Sequence, residues 1–286
     1  MDTASTEIFP QIVIALVITA AIFFIYLVIE QLWRSYLTYG SARIAVYPYT
    51  GSSAKTIVVK QDPANPNSKT LALSENQLTG IEFSYSTFLY ISDDNDTNTD
   101  GWNSVFYKGY ESGPFPLCGP GVFVSTKSSN TGGPTLRIVM NTYDTWFNTI
   151  DVNQIPFNKW IHLVLVLRGN TMEVYVNGNL ATKRTFNGTL PYQNYQPLVL
   201  FPSFKTNATE FVSAAGNIKH AIPAGENFTI NGKFAGYISN LYYYTYAISY
   251  SEIQNALNIG PSSNFEENSM DKPPYLIDSW WTSRAK

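Results

Sequence analysis

Apolar positions along the chain fall into two regimes. Residues 8–29 read IFPQIVIALVITAAIFFIYLVI, 22 positions without a charge between Glu7 and Glu30. As a helix rising 1.5 Å per residue, such a run covers roughly 33 Å, against a hydrocarbon core of about 30 Å. The pattern predicts one transmembrane helix. Pro10 falls in its first turn, where a missing N–H costs nothing, and Trp33, Tyr36 and Tyr39 follow as an interfacial aromatic group. A cleaved signal peptide would need a basic leading region and a shorter apolar core. The first seven residues, MDTASTE, contain no Lys or Arg.

From about Val46 the pattern changes to short apolar and alternating runs separated by Gly, Asn and Pro, with no amphipathic helical window of useful length. That spacing is the signature of a sandwich or barrel. Residues 81–91 (IEFSYSTFLYI) place Phe83, Tyr85 and Thr87 on one face and Ser84, Ser86 and Phe88 on the other. The clearest unit is a three-stranded meander. Residues 160–168 (WIHLVLVLR) form an apolar strand, Gly169-Asn170 turns it, and 171–176 (TMEVYV) return. Asn177-Gly178 then supplies the pair of positive φ angles that a type I′ hairpin requires. Glu173 and Tyr175 alternate with Met172 and Val174, so one face of the meander is wet and the other is core. Residues 234–244 (FAGYISNLYYY) predict a last strand, and Ser249-Tyr-Ser-Glu252 is a capping box that opens a short helix, stopped by Gly260-Pro261.

The expected organisation is therefore a flank at 1–7, a membrane helix at 8–29, a juxtamembrane linker at 30–45, a β-sandwich at 46–260 and a tail at 261–286. The tail carries two adjacent prolines and the pair Trp280-Trp281 and has too little apolar surface to fold alone, so disorder is the expectation and an arm that docks its Trp pair on a neighbour the alternative.

Composition sharpens this division. Charged residues make up only 14% of the chain, against about 25% in an average soluble protein. The net charge is −3 with no basic run, so there is no phosphate-neutralising patch and nucleic acid is excluded as the expected partner. One cysteine, Cys118, rules out an intrachain disulfide framework and any multi-thiolate metal site. Orientation rests on short flanks: there is no basic residue before the span, and Arg34 and Arg43 follow it, which places the N-terminus outside and the C-terminal domain on the cytosolic side. Sequons at Asn95, Asn187, Asn207 and Asn227 number about what chance gives in so Asn-, Ser- and Thr-rich a chain.

The order of the pieces resembles the laminin-G-like, concanavalin-A-like superfamily of jelly-roll sandwiches. The matching residues are 83–91, Val105-Phe106-Tyr107-Lys108-Gly109, Gly121-Val122-Phe123 and 136–140. They continue in Pro156-Phe157-Asn158-Lys159-Trp160-Ile161-His162, then Val174-Tyr175-Val176-Asn177-Gly178, and close in 234–242 with Glu252-Ile253. The resemblance implies an all-β, antiparallel jelly-roll β-sandwich with one short helix near its end, behind the membrane anchor. It also implies a binding module for sugars, proteins or lipids, often assisted by Ca²⁺, and only in some branches a glycoside hydrolase. Membrane-anchored versions of this Asn- and Tyr-rich kind are similar to membrane proteins of large DNA viruses, where an internal virion membrane would set the domain against the capsid.

Catalytic patterns are missing from the sequence. Glycoside hydrolysis needs two carboxylates facing each other across a cleft, and the E-x-D-x-E strand that supplies them in sandwich glucanases is absent; Glu111, Asp144, Asp151, Glu173 and Glu210 stand alone. There is no G-x-S-x-G elbow, and only His162 and His220 are candidate bases. His162 shares a strand face with Trp160, Val164 and Val166 and reads as a packed histidine, and Cys118 reads as a small loop hydrophobe. The expectation is a non-enzymatic module that links a membrane to a protein partner or capsid shell, with glycan binding in attachment as the alternative. Tyr242, Tyr244 and Tyr246 are the candidate contact residues, with Trp280 and Trp281 of the tail, since tyrosine and tryptophan combine apolar area with a polar group; packing of the tail or the short helix against the sheet is the equal alternative for the tyrosines.

One charged constellation remains. Asp96, Asn98, Asp100 and Gly101 fill the first six positions of a D-x-[DN]-x-[DN]-G calcium loop, and Asp94 precedes them. Position twelve is Tyr107 rather than Glu, so a solvated hairpin loop is the preferred account and weak Ca²⁺ ligation by Asp94, Asp96, Asn98 and Asp100 the competing one. The loop account predicts that millimolar Ca²⁺ leaves the melting temperature unchanged and releases no heat in calorimetry. A thermal shift that Asp96→Ala abolishes would establish the metal site instead.

Overall fold

A computed structural model describes residues 3–65, 68–74, 81–97, 99–114, 117–127, 132–188, 190–206, 210–212, 219–221 and 228–265. The chain divides into two units, Met1–Ile44 and Ala45–Lys286. The first is α1 (Thr3–Ala42), whose run Gln11–Trp33 is long and apolar enough to cross a membrane, with none of it buried. The helix continues past the apolar span to Ala42, through most of the segment expected as a linker. Glu30, Gln31, Leu32, Arg34 and Leu37 are good helix formers, and nothing before Gly40 interrupts them.

The second unit is built from strands: β1 (Arg43–Ser52), β2 (Ile57–Val59), β3 (Glu82–Ile91), β4 (Trp102–Lys108), β5 (Gly121–Ser125), β6 (Leu136–Met140), β7 (Asn148–Val152), β8 (Trp160–Arg168), β9 (Thr171–Val176), β10 (Asn179–Thr185), β11 (Leu198–Leu200), β12 (Glu210–Val212), β13 (Lys219–Ala221), β14 (Ile230–Lys233) and β15 (Gly236–Tyr244), followed by α2 (Tyr250–Ile259). One sheet has the order β1-β15-β3-β8-β9-β10. The other runs β2-β11-β4-β5-β6-β7, with β14 paired in parallel to the first residues of β4, and β12 pairs with β13. Chain neighbours thus often lie in different sheets, as a jelly roll requires. The type I′ turn forms as its residues predict, with φ 50° at Asn177 and 78° at Gly178.

Large aromatics fasten the sheets together. Tyr85 of β3 lies 5.1 Å from Tyr243 of β15 and 6.5 Å from Phe106 of β4, measured between ring centroids, and Phe83 meets Tyr85 edge-on at 5.8 Å. All four rings are buried. The Tyr243 hydroxyl donates to the Ala72 carbonyl at 2.8 Å and accepts from Gln193 Nε2 at 2.6 Å, which pins two loops to the core.

The opposite face of β3 is buried too, because α2 covers it. Ile248 and Ile253 pack with Val164, Val166 and Tyr244, with Tyr175, Tyr242, Tyr246 and Ala247 at the margin. The capping box forms in full, with the Ser249 side chain on the Glu252 amide and the Glu252 carboxylate on the Ser249 amide. Ser84 Oγ adds a clip, donating to the Tyr246 carbonyl at 3.0 Å and accepting from the Ile248 amide at 3.1 Å. Beyond α2 the chain returns over the sheet, where the Thr50 amide donates to the Asn264 carbonyl at 2.8 Å and Ser262 N–H donates to Ser239 Oγ at 2.7 Å.

β15 enters the sheet at Gly236, where φ is +151° and a Cβ would stand 2.0 Å from the Tyr90 carbonyl oxygen of β3. Only glycine allows this approach. Gly236→Ala is therefore expected to destabilise the sandwich by about 2–3 kcal/mol. Chemical denaturation of the full-length protein in detergent checks this, and a loss below about 0.5 kcal/mol, the scale of a neutral surface change, would contradict it.

Candidate functional site

The connection from β3 to β4 is shaped by one amide. Ser92 caps a single 3₁₀ turn, Asp93–Asn95, and its Oγ accepts from the Asp94 amide at 3.3 Å. Asn95 turns inward and is buried. Its Nδ2 donates to the carbonyls of Ser92 (2.7 Å) and Ala235 (2.6 Å), while its Oδ1 accepts from the Ala235 amide (2.8 Å) and from Asn103 Nδ2 (3.2 Å). One side chain thus joins the loop, β4 and the start of β15. Around it opens a polar depression of about 610 Å³, lined by Asp94, Thr97, Thr99, Asp100, Asn231 and Lys233 among others. Asp100 meets Lys127 at 3.5 Å in an exposed ion pair, an interaction worth little in water.

Asp94 and Asp100, two of the predicted calcium ligands, line this depression. Asp96 takes part in the turn, its amide donating to the Asp93 carbonyl at 2.9 Å, and Asn98 lies outside the described residues. Position twelve of the loop, Tyr107, is a buried residue of β4. Among the described residues no group of three His, Cys, Asp or Glu side chains converges as a metal site would require.

Beside the depression is an aromatic row absent from the sequence expectations. Register pairs Tyr237 with Tyr90 and Tyr90 with Trp160 across β15, β3 and β8. The rings meet at 5.8 Å (Tyr90 and Tyr237), 5.7 Å (Tyr90 and Trp160) and 6.4 Å (Trp160 and Tyr237). Trp160 is 36% and Tyr237 38% exposed, so the row presents ring surface to solvent on three hydrogen-bonded strands. Asn158, in the left-handed region at φ 57°, ties the segment before β8 to the end of β3 and the loop after it: its amide donates to the Ile91 carbonyl at 2.7 Å and its Oδ1 accepts from the Asp93 amide at 3.3 Å. Each of the three aromatics stands at or next to a strand end, where alternation alone cannot tell packing from exposure. Only the register aligns them.

The tyrosines expected to make contacts lie elsewhere. Tyr244 is buried under α2, and Tyr242 and Tyr246 pack at the edge of the same cluster. The Tyr246 hydroxyl donates to Glu252. Burial pushes the Glu252 carboxyl up, but hydrogen bonds from Tyr246 and Ser249 outweigh that effect and hold it below the usual range. Trp280 and Trp281 lie outside the described residues.

Of the remaining candidates for chemistry, His162 and Cys118 are packed and Asp151 and Glu173 are paired. His162 is buried beside Phe88, stacked at 4.6 Å, with Nε2 2.9 Å from Ser86 Oγ and no partner for Nδ1. Burial lowers its pKa to about 4. The Cys118 thiol is fully buried, and burial pushes its pKa up, away from the thiolate a nucleophile needs. Asp151 is held by Arg137 through two bonds of 2.8 and 2.7 Å, and Glu173 by Tyr175 at 2.9 Å and Arg168 at 3.7 Å. None of Glu111, Asp144, Asp151 and Glu173 lines the depression. His220 is in β13 and Glu210 in β12.

Two packed antiparallel sheets with jelly-roll crossings define a β-sandwich of the lectin type. Residues 65–218 match the family Laminin_G_3, described as the concanavalin A-like lectin/glucanases superfamily; this is more than half of the chain, and the chain belongs to that superfamily. Among solved structures it is similar to the ligand binding domain of botulinum neurotoxin serotype D in complex with N-acetylneuraminic acid, at 13% identity and a TM-score of 0.46 over 75% of this chain and 43% of that one. It is similar as well to the receptor binding domain of botulinum neurotoxin D, at 14% identity and a TM-score of 0.44 over 74% of this chain and 44% of that one. The chain spans less than half the length of these neurotoxin chains. No curated protein matches its sequence significantly.

His162 generates a pH prediction. In the unfolded chain its imidazole titrates near 6.5, and in the fold near 4. Between these values the unfolded state binds a proton that the native state does not, so stability falls as pH drops from about 6.5 towards 4, by up to about 3 kcal/mol. His162→Gln keeps an amide for Ser86 and removes the titration, so its stability is expected to depend less on pH over this window. Urea unfolding at pH 7 and pH 4.5 measures the difference, and an acid limb of equal slope in both proteins would contradict it.

Proposed function

We propose that this protein is a single-pass, membrane-anchored, non-enzymatic binding module, with the apolar part of α1 as its anchor and residues 46–260 as the binding domain. The observation that carries this reading is the pairing of an unburied, 23-residue apolar run with a sandwich whose charged groups are paired or spread apart rather than set as an acid and a base. The domain joins the membrane to a protein partner or shell, and the setting that the neutral, Asn- and Tyr-rich composition suits is a virion, as a membrane or minor capsid protein. Arg34 and Arg43 after the span set the domain on the cytosolic side.

A second reading is favoured by a separate observation, the aromatic row beside the polar depression. Ring faces stack on the apolar faces of pyranoses, while carboxylates, amides and hydroxyls such as those of Asp94, Asn231 and Thr97 satisfy sugar hydroxyls. Under this reading the module recognises a glycan, in attachment.

A glycan array probed with the full-length protein in nanodiscs separates the two. Selective binding that Trp160→Ala abolishes would establish the glycan reading and overturn the first as stated. The membrane-to-partner reading predicts no selective glycan and, in intact particles or cells, cross-links from the sandwich to a defined protein. Protease digestion of sealed microsomes tests the orientation: a cytosolic domain is cleaved without detergent.

A further inference from the structure

Three connections leave the second sheet at the end remote from the depression: 109–113 after β4, 141–147 between β6 and β7, and 186–197 before β11. They are knitted to one another. Thr142 forms a β-bridge with Pro191, the Tyr143 amide donates to the Leu190 carbonyl at 3.3 Å, Asn141 Nδ2 donates to the Tyr192 carbonyl at 3.4 Å, and the Gly109 amide donates to the Pro197 carbonyl at 3.1 Å. Beneath them the buried Lys108 donates from Nζ to the Gln196 carbonyl at 2.7 Å, while its own carbonyl accepts from Asn194 Nδ2 at 3.1 Å. On this braced backbone Tyr143 stacks with Tyr192 at 4.8 Å. Tyr143 is 72% exposed, Tyr195 71%, Leu190 45% and Tyr110 41%; the first two are the most exposed aromatics of the sandwich among the described residues.

Rigid loops bearing open tyrosines are the chemistry of a recognition surface, because tyrosine offers large amphipathic area at little entropic loss. Two features identify the occupant. The open area of these four side chains is on the order of 400 Å², about half of the ~800 Å² that one protein contributes to a standard interface, and more than a single sugar ring covers. Apart from Lys108, the charged residues of these connections are Glu111 and Asp144, both acidic and exposed. A second copy of the chain would set acid against acid. An arginine or lysine from a partner would instead face Glu111 and Asp144 and lie over the tyrosine rings.

We propose that this tyrosine-lined loop face docks a protein partner through an arginine- or lysine-bearing surface. The inference rests on the reading of the chain as an interaction module and adds the face and the partner's chemistry. It is tested by panning the full-length protein, held in nanodiscs, against a random dodecapeptide library. The expected result is enrichment of peptides rich in arginine or lysine, reduced more than about tenfold by the exposed-site variant Tyr143→Ser/Tyr195→Ser and several-fold by Glu111→Gln/Asp144→Asn, with Trp160→Ala unchanged. No enrichment, or enrichment of peptides without a cationic bias, overturns the inference. So does self-association of the protein that the tyrosine variant abolishes. Cationic enrichment that survives Tyr143→Ser/Tyr195→Ser but is lost in Trp160→Ala overturns this face while leaving the interaction reading in place.

Discussion

The register of β15 on β3 and of β3 on β8 is the constraint on which the rest of the structure depends. A slip of one residue would exchange the two faces of these strands. Here such a slip is resisted from both sides. On the inner face Tyr85 and Tyr243 lock against Phe106 of the facing sheet, and on the outer face Val164, Val166 and Tyr244 lie under α2. The same pairing that buries these residues lines up Tyr237, Tyr90 and Trp160 at the end of the strands, beyond the reach of α2. The aromatic row is thus a consequence of core packing.

The loops obey a similar logic. The depression owes its shape to Asn95, whose amide places its hydrogen bonds on two separate backbone segments, at Ser92 and Ala235, and on the Asn103 side chain. The tyrosine-bearing connections at the other end owe theirs to Asn141, Asn194 and Lys108. Buried amides bridging loops explain why so asparagine-rich a chain can hold long connections in order.

Much of the fold was legible in the chain. The meander from Trp160 to Ala181, the type I′ turn at Asn177-Gly178, the capping box at Ser249 and the apolar helix follow from patterns local in sequence, and all are found where those patterns lie. The site was less legible, because it depends on contacts between residues far apart in sequence. Tyr242, Tyr244 and Tyr246 stand out in a run of tyrosines, and a helix that follows directly in sequence folds back over them, while Tyr243 between them faces the core. Tyr90, Trp160 and Tyr237 are isolated letters that only the pairing of three strands brings together. The acidic loop was visible as a loop, but the inward turn of Asn95 within it was not. The helix was placed correctly and its end was not, since helix-forming residues carry it from the apolar span to Ala42.

Hydroxyl-radical footprinting of the full-length protein, free in nanodiscs and in its native membrane assembly, tests the central claim most directly. The account predicts oxidation of Trp160 and Tyr237 with Tyr143 and Tyr195 in the free protein, protection of at least one of these two groups in the assembly, and no modification of Tyr85, Tyr243 or Tyr244 in either state. Oxidation of Tyr244 in the free protein together with a protected Trp160 would mean that the strand register is wrong, and with it the faces assigned to binding.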